Sequence, residues 1–125
     1  MAKDNDSKIS TISSTPHGKV AVANEVIAII AGLSATEVEG VRSMAGNITN
    51  ELISRIGINN LSKGVTVSVE NNTVTVNIAI ILEYDFSIPE VSGKVQERVK
   101  NTIESMTGLK VKEVNIKVEG VDVPQ

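Results

Sequence analysis

The stretch Val65–Phe86, VTVSVENNTVTVNIAIILEYDF, decides the fold of this chain. Valine alternates with a polar residue as far as Glu70, and an apolar residue recurs at every second position from Val74 onward. This period of two is typical of strands that bury one face. The intervening pair Asn71-Asn72 suits a two-residue type I′ turn, because asparagine tolerates a positive φ. The stretch therefore predicts a β-hairpin whose second strand extends to Phe86.

The residues that follow the hairpin predict a long helix and a final strand. Ser87 and Glu90 have the spacing of a capping box, Pro89 suits the first turn, and Gly108 suits the end of the helix. Apolar residues recur on one arc, which is expected to pack on the sheet. This arc comprises Ile88, Val91, Val95, Val99, Ile103 and Met106. The strand over 111–121 is expected to bury Val114, Ile116 and Val118 and to expose Glu113, Asn115 and Lys117.

Upstream of the hairpin, the sequence predicts an extended segment over 18–22 and a helix capped by Asn24 that runs to about Thr36. This helix has no charged residue between Glu25 and Glu37. Large apolar residues cover about half of its circumference, and small residues fill most of the rest. The small residues are Ala28, Ala31, Gly32 and Ala35. Either the helix is sandwiched within the fold or it keeps this small-residue arc as a protein interface.

The remaining segments complete an α+β arrangement. Residues 1–17 are polar and bury too little apolar surface to offset their ordering entropy, so they are expected to form a flexible N-terminal tail. A turn and a short extended piece are predicted over 39–44, and a second helix over 48–56. A single domain is expected over 18–123, in the order (β)α-α-β-β-α-β. Its two layers are a small, mainly antiparallel sheet and helices on one face of it.

The composition excludes several kinds of chemistry and partner. The chain has 125 residues, no cysteine and a net charge of −3, so it has no disulfides or thiolate metal sites. Charges of both signs are interleaved, and Tyr84 and Phe86 are the only aromatic residues. The sequence therefore lacks a basic stripe and stacking platform for nucleic acid. The polar start and the short apolar run Val26–Leu33 predict neither a signal peptide nor a membrane span.

Candidate catalytic residues are few. His17, the one histidine, lies in the expected tail, where a positioned general base is not expected. Glu83 and Asp85 are expected on one side of a strand, roughly 7 Å apart. Paired carboxylates at such a spacing can perform acid–base chemistry, but the solvated end of a strand is the favoured interpretation. No phosphate-binding loop, nucleophile motif or metal-ligand motif accompanies them. We expect a non-enzymatic protein without cofactor, metal or small-molecule substrate.

Two blocks of residues resemble the alkaline shock (Gls-type) envelope-stress family. The first block comprises Glu25-Val26-Ile27, Ile30-Ala31-Gly32 and Glu37–Val41. The second comprises Lys63-Gly64-Val65, Ile88–Val91, Val95-Gln96, Val99-Lys100, Met106–Leu109, Val114–Ile116 and Glu119–Val121. The resemblance covers about Gly18 to Val121, which is nearly all of the expected folded part.

The resemblance implies a cytoplasmic protein of Gram-positive bacteria that acts in cell-envelope or alkaline stress. It also implies self-association and recruitment to the inner face of the cell membrane by a separate integral anchor protein, and it carries over no catalytic residues. A protein-interaction or scaffold module is therefore the favoured function. Two alternatives are a nucleic-acid-binding module, because helices on one side of a small sheet also occur in RNA-binding domains, and an enzyme that uses Glu83 and Asp85.

Overall fold

A computed structural model describes residues 9–44 and 64–123 of the chain. Its strands are β1 Ile9–Thr15, β2 Gly18–Ala23, β3 Val41–Met44, β4 Val65–Glu70, β5 Thr73–Glu83 and β6 Lys110–Asp122. Its helices are α1 Asn24–Thr36 and α2 Ile88–Thr107. The predicted α+β class is confirmed. The predicted helix over 48–56 lies outside the described residues.

The predicted hairpin is present as β4 and β5. The two strands pair from Val65 opposite Ile78 to Glu70 opposite Thr73. Asn71 and Asn72 have φ values of 53° and 63°, as a type I′ turn requires. The alternation of the sequence therefore places one apolar row of β5 entirely inside: Val74, Val76, Ile78, Ile80 and Leu82 are buried.

β5 is the central strand of a four-stranded sheet. On one side it pairs antiparallel with both β4 and β3, and on the other side it pairs parallel with β6. β3 and β4 run in the same direction along that edge, because Met44 lies opposite Ile80 and Val65 lies opposite Ile78. α2 connects β5 to β6 across one face of the sheet, as a parallel connection requires.

The second strand of the hairpin ends earlier than predicted. β5 stops at Glu83, whose amide donates a hydrogen bond to the Gly40 carbonyl oxygen (2.8 Å). Asp85 then takes a φ of 78°, a left-handed conformation that cannot continue a strand. The prediction of a strand to Phe86 was therefore wrong. The apolar alternation continues past the strand, but Tyr84 and Phe86 belong to the turn that leads into α2.

α2 begins and ends as predicted. Ser87 Oγ accepts a hydrogen bond from the Glu90 amide (3.4 Å), and Gly108 follows the helix with a φ of 80°. The middle of the predicted apolar arc is buried, namely Val91, Val95, Val99 and Ile103. Its two ends are not: Ile88 and Met106 are 47% and 65% exposed. Both lie in terminal turns of this 20-residue helix, where burial of the arc ends.

The N-terminal segment is not a flexible tail throughout. β1 pairs antiparallel with β2, from Ile9 opposite Ala23 to Thr15 opposite Gly18. In the connecting turn, Thr15 Oγ1 donates to the Gly18 carbonyl oxygen (3.1 Å) and accepts from the His17 amide (3.2 Å). The prediction of a tail over 1–17 therefore needs correction for residues 9–17. Backbone pairing orders them, and a prediction based on apolar content does not detect backbone pairing.

Candidate protein-interaction surfaces

The small-residue arc of α1 faces the interior of the fold. Ala31 and Ala35 are 0% exposed, and Ala28 and Gly32 are also buried. α1 packs on α2, β4 and β3, and small side chains allow this close approach. The structure therefore corrects the prediction that these positions form a protein interface, because they have no free surface. Of the two interpretations that the sequence left open, sandwiching is the observed one.

The opposite arc of α1 carries large aliphatic side chains toward solvent. Val26 and Leu33 are 43% and 44% exposed, and Ile29 and Ile30 between them are half-buried. We call these residues the α1 outer face. They have the spacing i, i+3, i+4 and i+7, which forms one continuous stripe on a helix. The outer side of a surface helix is ordinarily polar, so the α1 outer face is an unpartnered apolar surface.

A second apolar surface lies at one end of the sheet, around the turn from β5 into α2. Its members are Tyr84, Phe86, Ile88, Val121 and Val123, and we call them the sheet-end patch. Val121 lies opposite the buried Leu82, and the Tyr84 amide donates to the Asp122 carbonyl oxygen (3.3 Å). The Phe86 ring covers Gly40, so the patch extends from the end of β6 to the turn before β3.

The side chains around the sheet-end patch are predominantly acidic. Glu83, Asp85 and Glu90 are exposed, and no basic residue occurs between Glu83 and Gly93. Arg42 does not offset them, because its Nε is ion-paired with Asp122 Oδ2 at 2.8 Å. This end of the molecule therefore presents apolar side chains within a negative field.

The outer edge of β6 is a weaker candidate for binding. Register shifts mark irregularities near Lys112 and Glu119, and Lys110 and Lys117 place charges along the same strand. Bulges and lysines are features that prevent edge strands from pairing with other chains. The sheet face away from the helices is polar, as predicted, with Asn115 Nδ2 donating to Asn77 Oδ1 across β5 and β6 (3.0 Å).

The candidate catalytic residues do not form a site. Glu83 ends β5, whereas Asp85 follows it in the left-handed turn, so the two are not on one side of a strand. His17 is exposed in the turn between β1 and β2. Within residues 9–44 and 64–123, no cluster of three or more potential metal-binding side chains occurs. In the same ranges, no helix is both long and apolar enough to cross a membrane.

The chain belongs to the alkaline shock protein 23 (ASP23) family, a family with a cell envelope-related function, whose sequence model matches residues 12–123. The resemblance to alkaline shock and Gls-type proteins is thereby confirmed. The uncharacterised Bacillus subtilis proteins YqhY and YloU are similar to this chain, each at 38% identity. The alignments cover 95% of this chain and 88% of YqhY, and 87% of this chain and 92% of YloU.

A stress response regulator gls24 homolog of Streptococcus pyogenes is 29% identical, over 86% of this chain and 60% of that protein. Among solved structures, a MamM-CTD variant aligns with a TM-score of 0.48 and 10% identity, over 78% of this chain and 96% of that chain. At this level of structural similarity, the alignment supports no conclusion about function. The family, rather than a structural neighbour, therefore connects this chain to the cell envelope.

Proposed function

We propose that this protein is a non-catalytic scaffold module of the envelope stress response. In this proposal it associates with itself and is held at the inner face of the cell membrane, on the cytoplasmic side, by a separate integral anchor protein. The α1 outer face is the observation that carries the proposal. A stripe of aliphatic side chains that no described element covers is suited to bind protein rather than substrate.

A second copy of the chain is the occupant that we propose for the α1 outer face. Val26, Ile29 and Leu33 recur at the spacing with which two helices pack against each other. A pair related by a twofold axis brings the same surface of both copies together, so the surface must be complementary to itself. An aliphatic stripe meets this condition, because it contains no charge that would meet a like charge.

The half-exposed side chains supply a driving force of useful size. Burying Val26 and Leu33 completely would contribute on the order of 1 kcal/mol for each side chain in each copy, since a fully exposed side chain contributes about 1.5–3 kcal/mol. Ile29 and Ile30 add smaller contributions because they are already half-buried. Such an interface favours association that depends on protein concentration within the usual experimental range.

Self-association through this surface predicts a large effect of Leu33→Glu. In a dimer paired through α1, both copies would bury an unpaired carboxylate, which is expected to raise the dissociation constant about a hundredfold. Leu33 is 44% exposed in the monomer, so the fold is expected to tolerate the change. Light scattering coupled to size exclusion, over a wide concentration range and at two salt concentrations, measures the mass of each variant.

Thr66→Glu provides a matched control, because Thr66 is exposed on β4 and faces away from the helices. It introduces the same charge and is expected to leave association unchanged. A strict monomer in the unmodified protein at every concentration would remove self-association from the proposal. Association of the Leu33→Glu protein at unmodified strength would place the interface elsewhere.

Recruitment by an anchor protein predicts selective retention by native membranes. The family's envelope-related function supports this part of the proposal. Membrane vesicles from the bacterium that encodes the protein are expected to retain it in sedimentation. The same vesicles after protease treatment of their exposed proteins, and vesicles of extracted lipid alone, are not. Equal retention by all three would indicate direct binding to lipid and would contradict the anchor.

A further inference from the structure

We propose that the sheet-end patch binds a segment of another protein that is both apolar and rich in lysine or arginine. The inference rests on the proposed function in one respect, namely that this protein binds other proteins. It adds the chemistry of a partner and assigns that partner to residues that do not belong to the α1 outer face. The two surfaces can therefore be tested separately.

The apolar half of the argument comes from exposure at the end of the sheet. Tyr84, Val121 and Val123 are 53%, 42% and 55% exposed, although Val121 lies opposite the fully buried Leu82. The apolar sequence of β5 and β6 thus continues beyond the part of the sheet that the core covers. Phe86 and Ile88 extend the same surface toward the start of α2. A contiguous apolar cluster of this kind marks a binding surface.

The acidic half of the argument identifies the class of partner. Glu83, Asp85 and Glu90 surround the apolar side chains without a nearby unpaired cation. An anionic lipid surface or a nucleic acid would be repelled, and a second copy would bring the same acidic residues against each other. A segment with apolar and basic side chains is complementary to both features, so electrostatics favours it over these other occupants.

The backbone holds the patch in place before any partner binds. The Ser87 cap fixes the start of α2, and the hydrogen bond from the Tyr84 amide to Asp122 ties the turn to β6. Phe86 lies against Gly40, where a side chain would leave no room for the ring. A surface ordered in advance loses less conformational entropy on binding.

Tyr84 offers a direct readout, because the chain has one tyrosine and no tryptophan. The probe is a synthetic peptide of leucine and lysine without aromatic residues. Its binding to the full chain is followed by tyrosine fluorescence. The same peptide with glutamate in place of lysine is the first control. The lysine peptide is expected to change the fluorescence saturably, and the glutamate peptide is expected to have no effect.

A triple variant tests the acidic residues: Glu83→Gln, Asp85→Asn and Glu90→Gln. Asparagine tolerates the φ of 78° at position 85, and glutamine preserves the capping box at position 90. A matched variant removes three charges elsewhere, through Glu70→Gln, Glu97→Gln and Glu113→Gln. The first is expected to weaken binding of the lysine peptide about tenfold and the second less than about twofold.

Four results would overturn the inference. They are no binding of the lysine peptide, equal weakening by both triple variants, equal binding of the glutamate peptide, and an equal fluorescence change with phosphatidylglycerol vesicles. The last of these would assign the patch to a membrane surface. Light scattering on the same samples keeps this test distinct from that of self-association. A monomeric protein that still binds the lysine peptide at Tyr84 would refute self-association and retain the sheet-end patch.

Discussion

Replacing Ala31 with glutamate is expected to unfold the protein. The Ala31 side chain is 0% exposed on the arc of α1 that packs against α2 and the sheet. A carboxylate there would be buried without a partner, and its larger volume would force the helix outward. Together these effects are expected to cost more than about 4 kcal/mol, against a total stability of about 5–15 kcal/mol for a domain. Circular dichroism during urea titration measures the loss.

Ala21→Glu is the matched control for this substitution. Ala21 is exposed on β2, so the same change there is expected to alter stability by less than about 0.5 kcal/mol. The contrast also separates the two arcs of α1, since Leu33→Glu is expected to affect association and Ala31→Glu to affect folding. A folded Ala31→Glu protein that had lost only its association would show that the small-residue arc is an interface after all.

The second large effect is expected for Gly40→Ala. Gly40 has a φ of 102°, and a Cβ atom there would lie 2.8 Å from Val91 Cγ2 and 2.9 Å from Phe86 Cδ2. The backbone cannot shift freely, because the Gly40 carbonyl oxygen accepts a hydrogen bond from the Glu83 amide. Backbone strain and overpacking together are expected to cost about 2–5 kcal/mol. The urea concentration at half-unfolding measures this directly.

Gly93→Ala gives the opposite sign and serves as the control. Gly93 lies within α2, and beyond its own helix no atom comes within 4 Å of the place that its Cβ would take. Alanine in a helix is more stable than glycine by about 0.5–1 kcal/mol, so this variant is expected to unfold at higher urea. Similar stability of the two variants would contradict the role assigned to Gly40.

The parts of the fold that the sequence predicted correctly depend on signals between close neighbours in the chain. Asn71 and Asn72 indicate their own turn, and Ser87, Glu90 and Gly108 mark the ends of one helix. Each signal concerns backbone conformation within a few residues. Such local preferences agree with the final structure here because tertiary packing does not oppose them.

The errors concern features that neighbouring residues do not determine. Tyr84 and Phe86 continue the alternation of β5, yet the left-handed backbone at Asp85 ends the strand before them. The pairing of β1 with β2 depends on backbone hydrogen bonds, and the polar composition of that segment carries no sign of them. In both cases the pattern of side-chain types was read correctly, but it was insufficient.

The orientation of α1 could not be predicted from the sequence for a related reason. Its two arcs are both uncharged, so hydrophobic periodicity does not distinguish the inner arc from the outer one. The depth at which Ala31 approaches the sheet decides the matter, and that depth is a property of the packed structure. The sheet-end patch had a detectable signal, because the two aromatic residues of the chain, Tyr84 and Phe86, lie within three positions.

The central position of β5 has a consequence for synthesis on the ribosome. β3 and β4, which pair with one side of β5, precede it in the chain and can pair as soon as it emerges. The other side pairs with β6, which follows only after the 20-residue α2. A nascent chain therefore carries an open edge of β5, of eleven residues, until its final strand has left the exit tunnel. The last element to be translated closes the sheet.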